Sequence, residues 1–156
     1  MKTTIRNVML LAGLVLLFSC DSKKTRQDDF DSKAIAMIQE FYNKFVFDDE
    51  NFSSQEEYTK KQILNNYCTK KLIDGYLIED GMDDGPFYYL GEFVNGSQDY
   101  GIESRLTDVE ALGDGKYKVH FIDYGKGFLV IKVVMDDGVL KLDEITDGGW
   151  EDKNNL

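Results

Sequence analysis

After Gly101 the chain settles into a period of two, and this change of texture limits the available folds more than any other feature. Four stretches, Ile102–Leu112, Lys116–Asp123, Gly127–Met135 and Val139–Ile145, are separated by Gly113-Asp114-Gly115, Tyr124-Gly125-Lys126 and Asp136-Asp137-Gly138. Linkers this short and this rich in Gly and Asp read as hairpin turns. Tyr117, Val119 and Phe121 alternate, as do Leu129, Ile131 and Val133, so one face of the resulting meander carries the core.

The first half of the domain has a helical period instead. Ile35, Ile38, Tyr42 and Phe45 recur at three- and four-residue spacing, with Phe41 widening the stripe, which predicts a helix from about Ser32 to Phe47 capped by Asp31 or Ser32. A polar break at Asp48-Asp49-Glu50-Asn51 ends it. Ser53 and Ser54 are each followed three residues later by a glutamate (Glu56, Glu57). That capping-box spacing opens a second helix, with Tyr58, Ile63 or Leu64, and Tyr67 on its apolar face. A third, short helix follows Thr69 and buries Leu72, Ile73, Tyr76 and Leu77. From Asp80 to Gly101, Gly81, Gly85, Pro86, Gly91 and Gly96 interrupt any pattern, and Phe87-Tyr88-Tyr89 forms at most a short strand. The helices have nowhere better than the meander to bury their stripes. The expected class is α+β, with N-terminal helices packed on a curved antiparallel β-meander.

Met1 to Cys20 has a different character. Lys2 and Arg6 precede an uncharged apolar run, Val8 to Phe18, which ends in Ser19-Cys20. Eleven residues are too few to cross a bilayer, which takes roughly 20, and they match the hydrophobic region of a signal peptide. Leu17-Phe18-Ser19-Cys20 resembles the lipobox of bacterial lipoproteins, in which the cysteine is lipidated and becomes the new N-terminus. Phe18 is bulkier than the commonest residue there, and the looser lipobox of Bacteroidetes lipoproteins tolerates it. The expected organisation is a signal peptide over 1–19, lipidated Cys20 with a flexible tether over 20–31, and one α+β domain over 32–156. Asp21 to Asp29 lacks any apolar residue, as a tether should.

Lys2 and Arg6 leave with the signal peptide, so the mature 137 residues carry 16 basic and 29 acidic side chains, a formal charge of −13. This argues against nucleic acid or an anionic surface as a partner, because both are bound by Lys/Arg patches. With Cys20 lipidated, Cys68 has no second cysteine to pair with, and it reads as a buried, inert thiol. The domain must be held by its core, to which ten Phe, nine Tyr and one Trp contribute.

Catalytic motifs are missing. His120, the single histidine, alternates out of phase with Val119 and Phe121 and is expected on the opposite, solvent face, with neither a nucleophile nor an orienting acid to nominate. Asp80-Gly-Met-Asp83-Asp84-Gly85 has neither the alternating ligands nor the distal glutamate of a calcium loop, and reads as a turn. No catalytic residue, metal site or cofactor is assigned. Tyr88, Tyr89, Tyr100 and Trp150 fall outside the amphipathic patterns. Aromatics with a polar tip serve as ligand contacts or as lids on a small core, so these four are the candidate ligand-binding residues.

Four segments together resemble a family of uncharacterised Bacteroidetes lipoproteins, a domain of unknown function. They are Ala34-Ile35-x-x-Ile38-x-x-Phe41-Tyr42, Tyr67-Cys68-x-x-x-Leu72, the Gln98-Asp99 pair, and Gly115 to Val119 with its Gly-x-Tyr-x-Val pattern. The likeness spans about residues 32–146. It implies a nuclear-transport-factor-two-like (cystatin-like) cone with a pocket between helices and sheet, and it brings no catalytic residues. The expected role is a lipid-anchored envelope protein that binds a small molecule or a protein without catalysis. The alternative is an acidic inhibitor or immunity protein against a basic toxin or hydrolase. Only Asp21 follows Cys20 closely, before Lys23 and Lys24, so the segment is nearly neutral where surface-exported lipoproteins carry acids, and the domain is expected to face the periplasm.

Overall fold

The computed structural model describes residues 25–81, 85–94 and 104–150. The signal segment, Cys20, the Gln98-Asp99 pair and Tyr100 lie outside them. Two units meet between Lys33 and Ala34.

In the first unit, residues 25–33 are helical. The helix therefore includes residues 25–31 of the segment expected to be a tether, and Asp31 and Ser32 are helical residues rather than caps. No apolar stripe announces it. Its support comes from side chains four residues apart: Gln27 Nε2 donates to Asp31 at 2.9 Å, and Lys33 pairs with Asp29 at 2.7 Å. Such exposed pairs add about 0.2–0.5 kcal/mol each to a helix.

The second unit opens with α1 (residues 34–41), which widens into a π-helical turn, Tyr42–Val46. The polar break that follows is itself a short helix, α2 (Asp49–Ser53), because the Asp48 carboxylate accepts the Asn51 N–H at 3.3 Å and so caps it. Neither Ser53 nor Ser54 is the N-cap of the next helix: Ser53 ends α2, and Ser54 is its C-cap, the Ser54 N–H donating to the Glu50 carbonyl at 3.1 Å. α3 (Glu57–Tyr67) starts after Glu56, whose side chain makes no capping bond. Leu64 is buried, but Tyr58 is 70% exposed and bonds only along its own helix, to Gln62. Thr69 caps α4 (Lys70–Leu72), its hydroxyl accepting the Leu72 N–H, and the chain continues as a π-helical turn, Ile73–Leu77. Leu72, Ile73 and Leu77 are buried as expected, whereas Tyr76 is exposed.

The stretch read as loop holds structure. β1 (Ile78–Gly81) and β2 (Gly85–Tyr88) pair antiparallel, and a 3-10 turn covers Leu90–Val94. β3 (Arg105–Gly113), β4 (Lys116–Ile122), β5 (Lys126–Asp136) and β6 (Val139–Trp150) then form a four-stranded antiparallel sheet in chain order. The fold is thus α+β, helices against a curved antiparallel meander. β6 runs five residues past the expected end at Ile145, which puts Trp150 in a strand opposite Gly127.

The layer between helices and sheet is filled. Tyr117, Val119, Phe121, Leu129, Ile131 and Val133 are buried, as the alternation requires. Above them Phe41 packs edge-on against Phe93 at 5.0 Å and lies 5.3 Å from Tyr67, while the Tyr42 hydroxyl donates to the Phe93 carbonyl at 3.0 Å. Phe47 meets Phe121 at 6.4 Å. Helices and sheet are also joined at Cys68-Thr69. There the Thr69 N–H donates to the Leu142 carbonyl at 2.8 Å, and its hydroxyl donates to Asp143 at 3.1 Å. Cys68 is fully buried, and burial pushes its thiol well above the usual range. Cysteines buried in apolar surroundings are inert. Among the described residues no helix is long and apolar enough to cross a membrane.

Candidate functional site

The site begins at an irregularity in the sheet. β3 and β4 pair regularly from Ala111–Tyr117 to Asp108–His120, and the register then slips between Leu106 and Asp108. Thr107 is the extra residue of this bulge. Bulges bend a strand and re-aim its side chains, and they concentrate beside functional sites. Next to this one lies a cavity of about 320 Å³. Thr107 and Asp108 of β3, His120, Phe121 and Ile122 of β4, and Lys126 and Gly127 of β5 line it. This cavity is therefore walled by strands, and is distinct from a pocket between helices and sheet.

The register explains the assembly. Asp108 stands opposite His120 on β4, and His120 stands opposite Phe128 on β5. Residues directly opposite in an antiparallel pair have Cβ atoms about 4.5–5.5 Å apart, so one row carries a carboxylate, an imidazole and a phenyl ring. The rings of His120 and Phe128 are centred 6.5 Å apart, and the Lys118 ammonium sits 4.2 Å above the Phe128 ring. Two residues along, Ile122 faces Lys126. His120 is half-buried and out of phase with Val119 and Phe121, as its position in the strand predicts. Its acidic neighbour Asp108 is what the sequence reading missed.

The apolar wall is fixed from behind. A Cβ on Gly127 would fall 2.5 Å from the Phe121 ring, so only glycine lets that ring lie across β5. Trp150, opposite Gly127, packs edge-on against Phe121 at 5.8 Å and stays 44% exposed.

The four aromatic candidates do not converge. Trp150 backs the cavity through Phe121. Tyr88 is buried at the end of β2, where burial raises its phenol above the usual range. The Tyr89 N–H donates to the Leu77 carbonyl at 2.9 Å, and its ring lies over Gly91. Tyr100 is outside the described residues. Asp80 and Gly81 lie in β1 and Gly85 in β2, with Gly81 opposite Gly85, while Asp83 and Asp84 lie outside the described residues. Among the described residues no cluster of His, Cys, Asp and Glu could hold a metal ion.

No known family profile matches the chain, and no curated protein does. A solved structure does: a protein of unknown function from Bacteroides thetaiotaomicron VPI-5482, at a TM-score of 0.57 and 20% identity, covering 81% of this chain and 98% of that one. At that identity the likeness concerns the fold.

Proposed function

We propose that this chain is a lipid-anchored lipoprotein of the cell envelope whose domain binds a small molecule, without catalysis, in the cavity beside the Thr107 bulge. The cavity itself carries the reading. At about 320 Å³ it is of ligand size, with an apolar wall and a few convergent polar groups: the Thr107 hydroxyl, Asp108, His120 and Lys126. The lipobox-like ending at Cys20 supports the anchor. The neutral segment after it supports a periplasmic face. Likeness to a Bacteroides protein of the same α+β kind supports membership of the Bacteroidetes lipoprotein family with a nuclear-transport-factor-two-like cone.

The test is a thermal-shift screen of the mature protein against a small-molecule library. A ligand present at a hundred times its Kd stabilises by about 2.7 kcal/mol, which for a domain of this size raises Tm by several degrees. Asp108→Ala and Lys126→Ala, both exposed and far from the helix layer, should leave the unliganded Tm nearly unchanged and remove the shift. Hits whose shifts survive both substitutions would place binding elsewhere and refute the reading.

A further inference from the structure

Among the described residues, three non-glycine residues adopt a positive φ: Asp114 at 52°, Tyr124 at 52° and Asp137 at 48°. The two aspartates are unremarkable, since Asp tolerates the left-handed region and both occupy hairpin tips. Tyr124 is different. A bulky residue there is an outlier that costs about 1–3 kcal/mol and persists only where its surroundings over-determine it.

The surroundings do so. Asp123 is fully buried, and its carboxylate accepts the Ser104 hydroxyl at 2.6 Å. Its N–H donates across the turn to the Gly125 carbonyl at 2.9 Å. The residue between them has to reverse the chain, and glycine would do so without strain. Instead the position holds a tyrosine whose side chain is 67% exposed, so packing within the chain returns little for the strain. Ile122 and Lys126, the residues two positions to either side, both line the cavity. The turn that carries Tyr124 thus joins two strands that both end at the cavity wall.

Resting on the binding reading above, we propose that Tyr124 is the cavity's ligand-contacting rim residue and that the ligand is an uncharged saccharide. One carboxylate and one ammonium line the cavity, so a strongly charged ligand finds no net attraction there. Asp108 accepts hydrogen bonds, Lys126 donates them, the Thr107 hydroxyl does both, and the His120 imidazole offers a ring N–H. This array suits neighbouring hydroxyls, which also donate and accept. The C–H face of a pyranose ring is apolar, and Tyr124 at the rim with the half-buried Ile122 in the wall gives it surfaces to lie against.

The mature protein is titrated calorimetrically with cellobiose, maltose and chitobiose, with glucuronate and ethylammonium as the anionic and cationic comparison probes. Binding of at least one neutral disaccharide, without binding of either charged probe, is expected. Tyr124→Asn should weaken it at least tenfold and Tyr124→Phe should largely retain it. Tyr124→Asn should also raise Tm by about 2 °C, because asparagine accepts the left-handed backbone that tyrosine resists. Loss of binding with a gain in stability is the signature of a strained contact residue, and a structural tyrosine would show the reverse. Failure of all three disaccharides, unchanged affinity in Tyr124→Asn, or a lowered Tm would overturn the proposal. Library hits that still depend on Asp108 and Lys126 would then leave the cavity a binding site for another class of molecule.

Discussion

Phe41→Ala should lower the stability of the domain by about 3–5 kcal/mol, the usual loss when a fully buried phenylalanine is truncated. Phe41 is fully buried, and Phe45, Tyr67 and Phe93 lie with ring centres within 6.0 Å of it. Those neighbours are anchored by other contacts and cannot collapse into the space. Phe93 is held through its carbonyl by Tyr42, and Tyr67 also packs edge-on against Phe45 at 5.6 Å. Domains are stable by only about 5–15 kcal/mol in all, so this one substitution removes a large share. Urea titration should show a lower midpoint with an unchanged slope, and Phe41→Leu should recover part of the loss. A loss below 1 kcal/mol would mean that the helix layer is not the stabilising half of the core.

Replacing Cys20 by alanine should shift nearly all of the protein out of the washed membrane fraction, or leave it there only as the uncleaved precursor. Each buried methylene contributes about 0.8 kcal/mol, one chain gives marginal and reversible binding, and two or more hold a protein stably. A mature domain with a formal charge of −13 has no electrostatic attraction of its own for an anionic bilayer. Cleaved alanine variant that stays on membranes would remove the lipid anchor from the proposed function. The same fractionated cells test the facing: protease added outside intact cells should spare the domain and digest it only after the outer membrane is permeabilised.

What could be read from the sequence was decided by how locally each feature is encoded. The strands were legible because alternation and turn chemistry lie within a few residues; Tyr117, Val119 and Phe121 are buried as their spacing requires. Helix starts were less so. The same short polar residues serve as caps and as helix interiors, so Asp48 capped where a break was expected and Ser53 and Ser54 did not cap the helix that follows them. The second half of the site was within reach. Counting six residues each way from the turn residue Asp114 gives Asp108 and His120, the pair the structure places opposite each other. That count fails one step further, at the Thr107 bulge, because an extra residue in a strand carries no period of its own. Tyr124 was visible only as part of a turn, since nothing in its identity shows that its backbone is left-handed.

The order of the strands bears on how fast the parts form. Each strand of the sheet pairs with its neighbour in sequence, so the meander is built from contacts of short loop closure. The helix layer is tied on across far longer separations, 74 residues from Thr69 to Asp143 and 73 from Lys71 to Glu144. Closing long loops costs more entropy and comes later, which assigns the meander to the folding nucleus and the helices to the downhill side of the barrier. Stopped-flow measurements on Phe41→Ala should then find the refolding rate close to that of the parent and nearly all of the lost stability in faster unfolding. The residence time of the native state is therefore set by the helix layer, which lets go first.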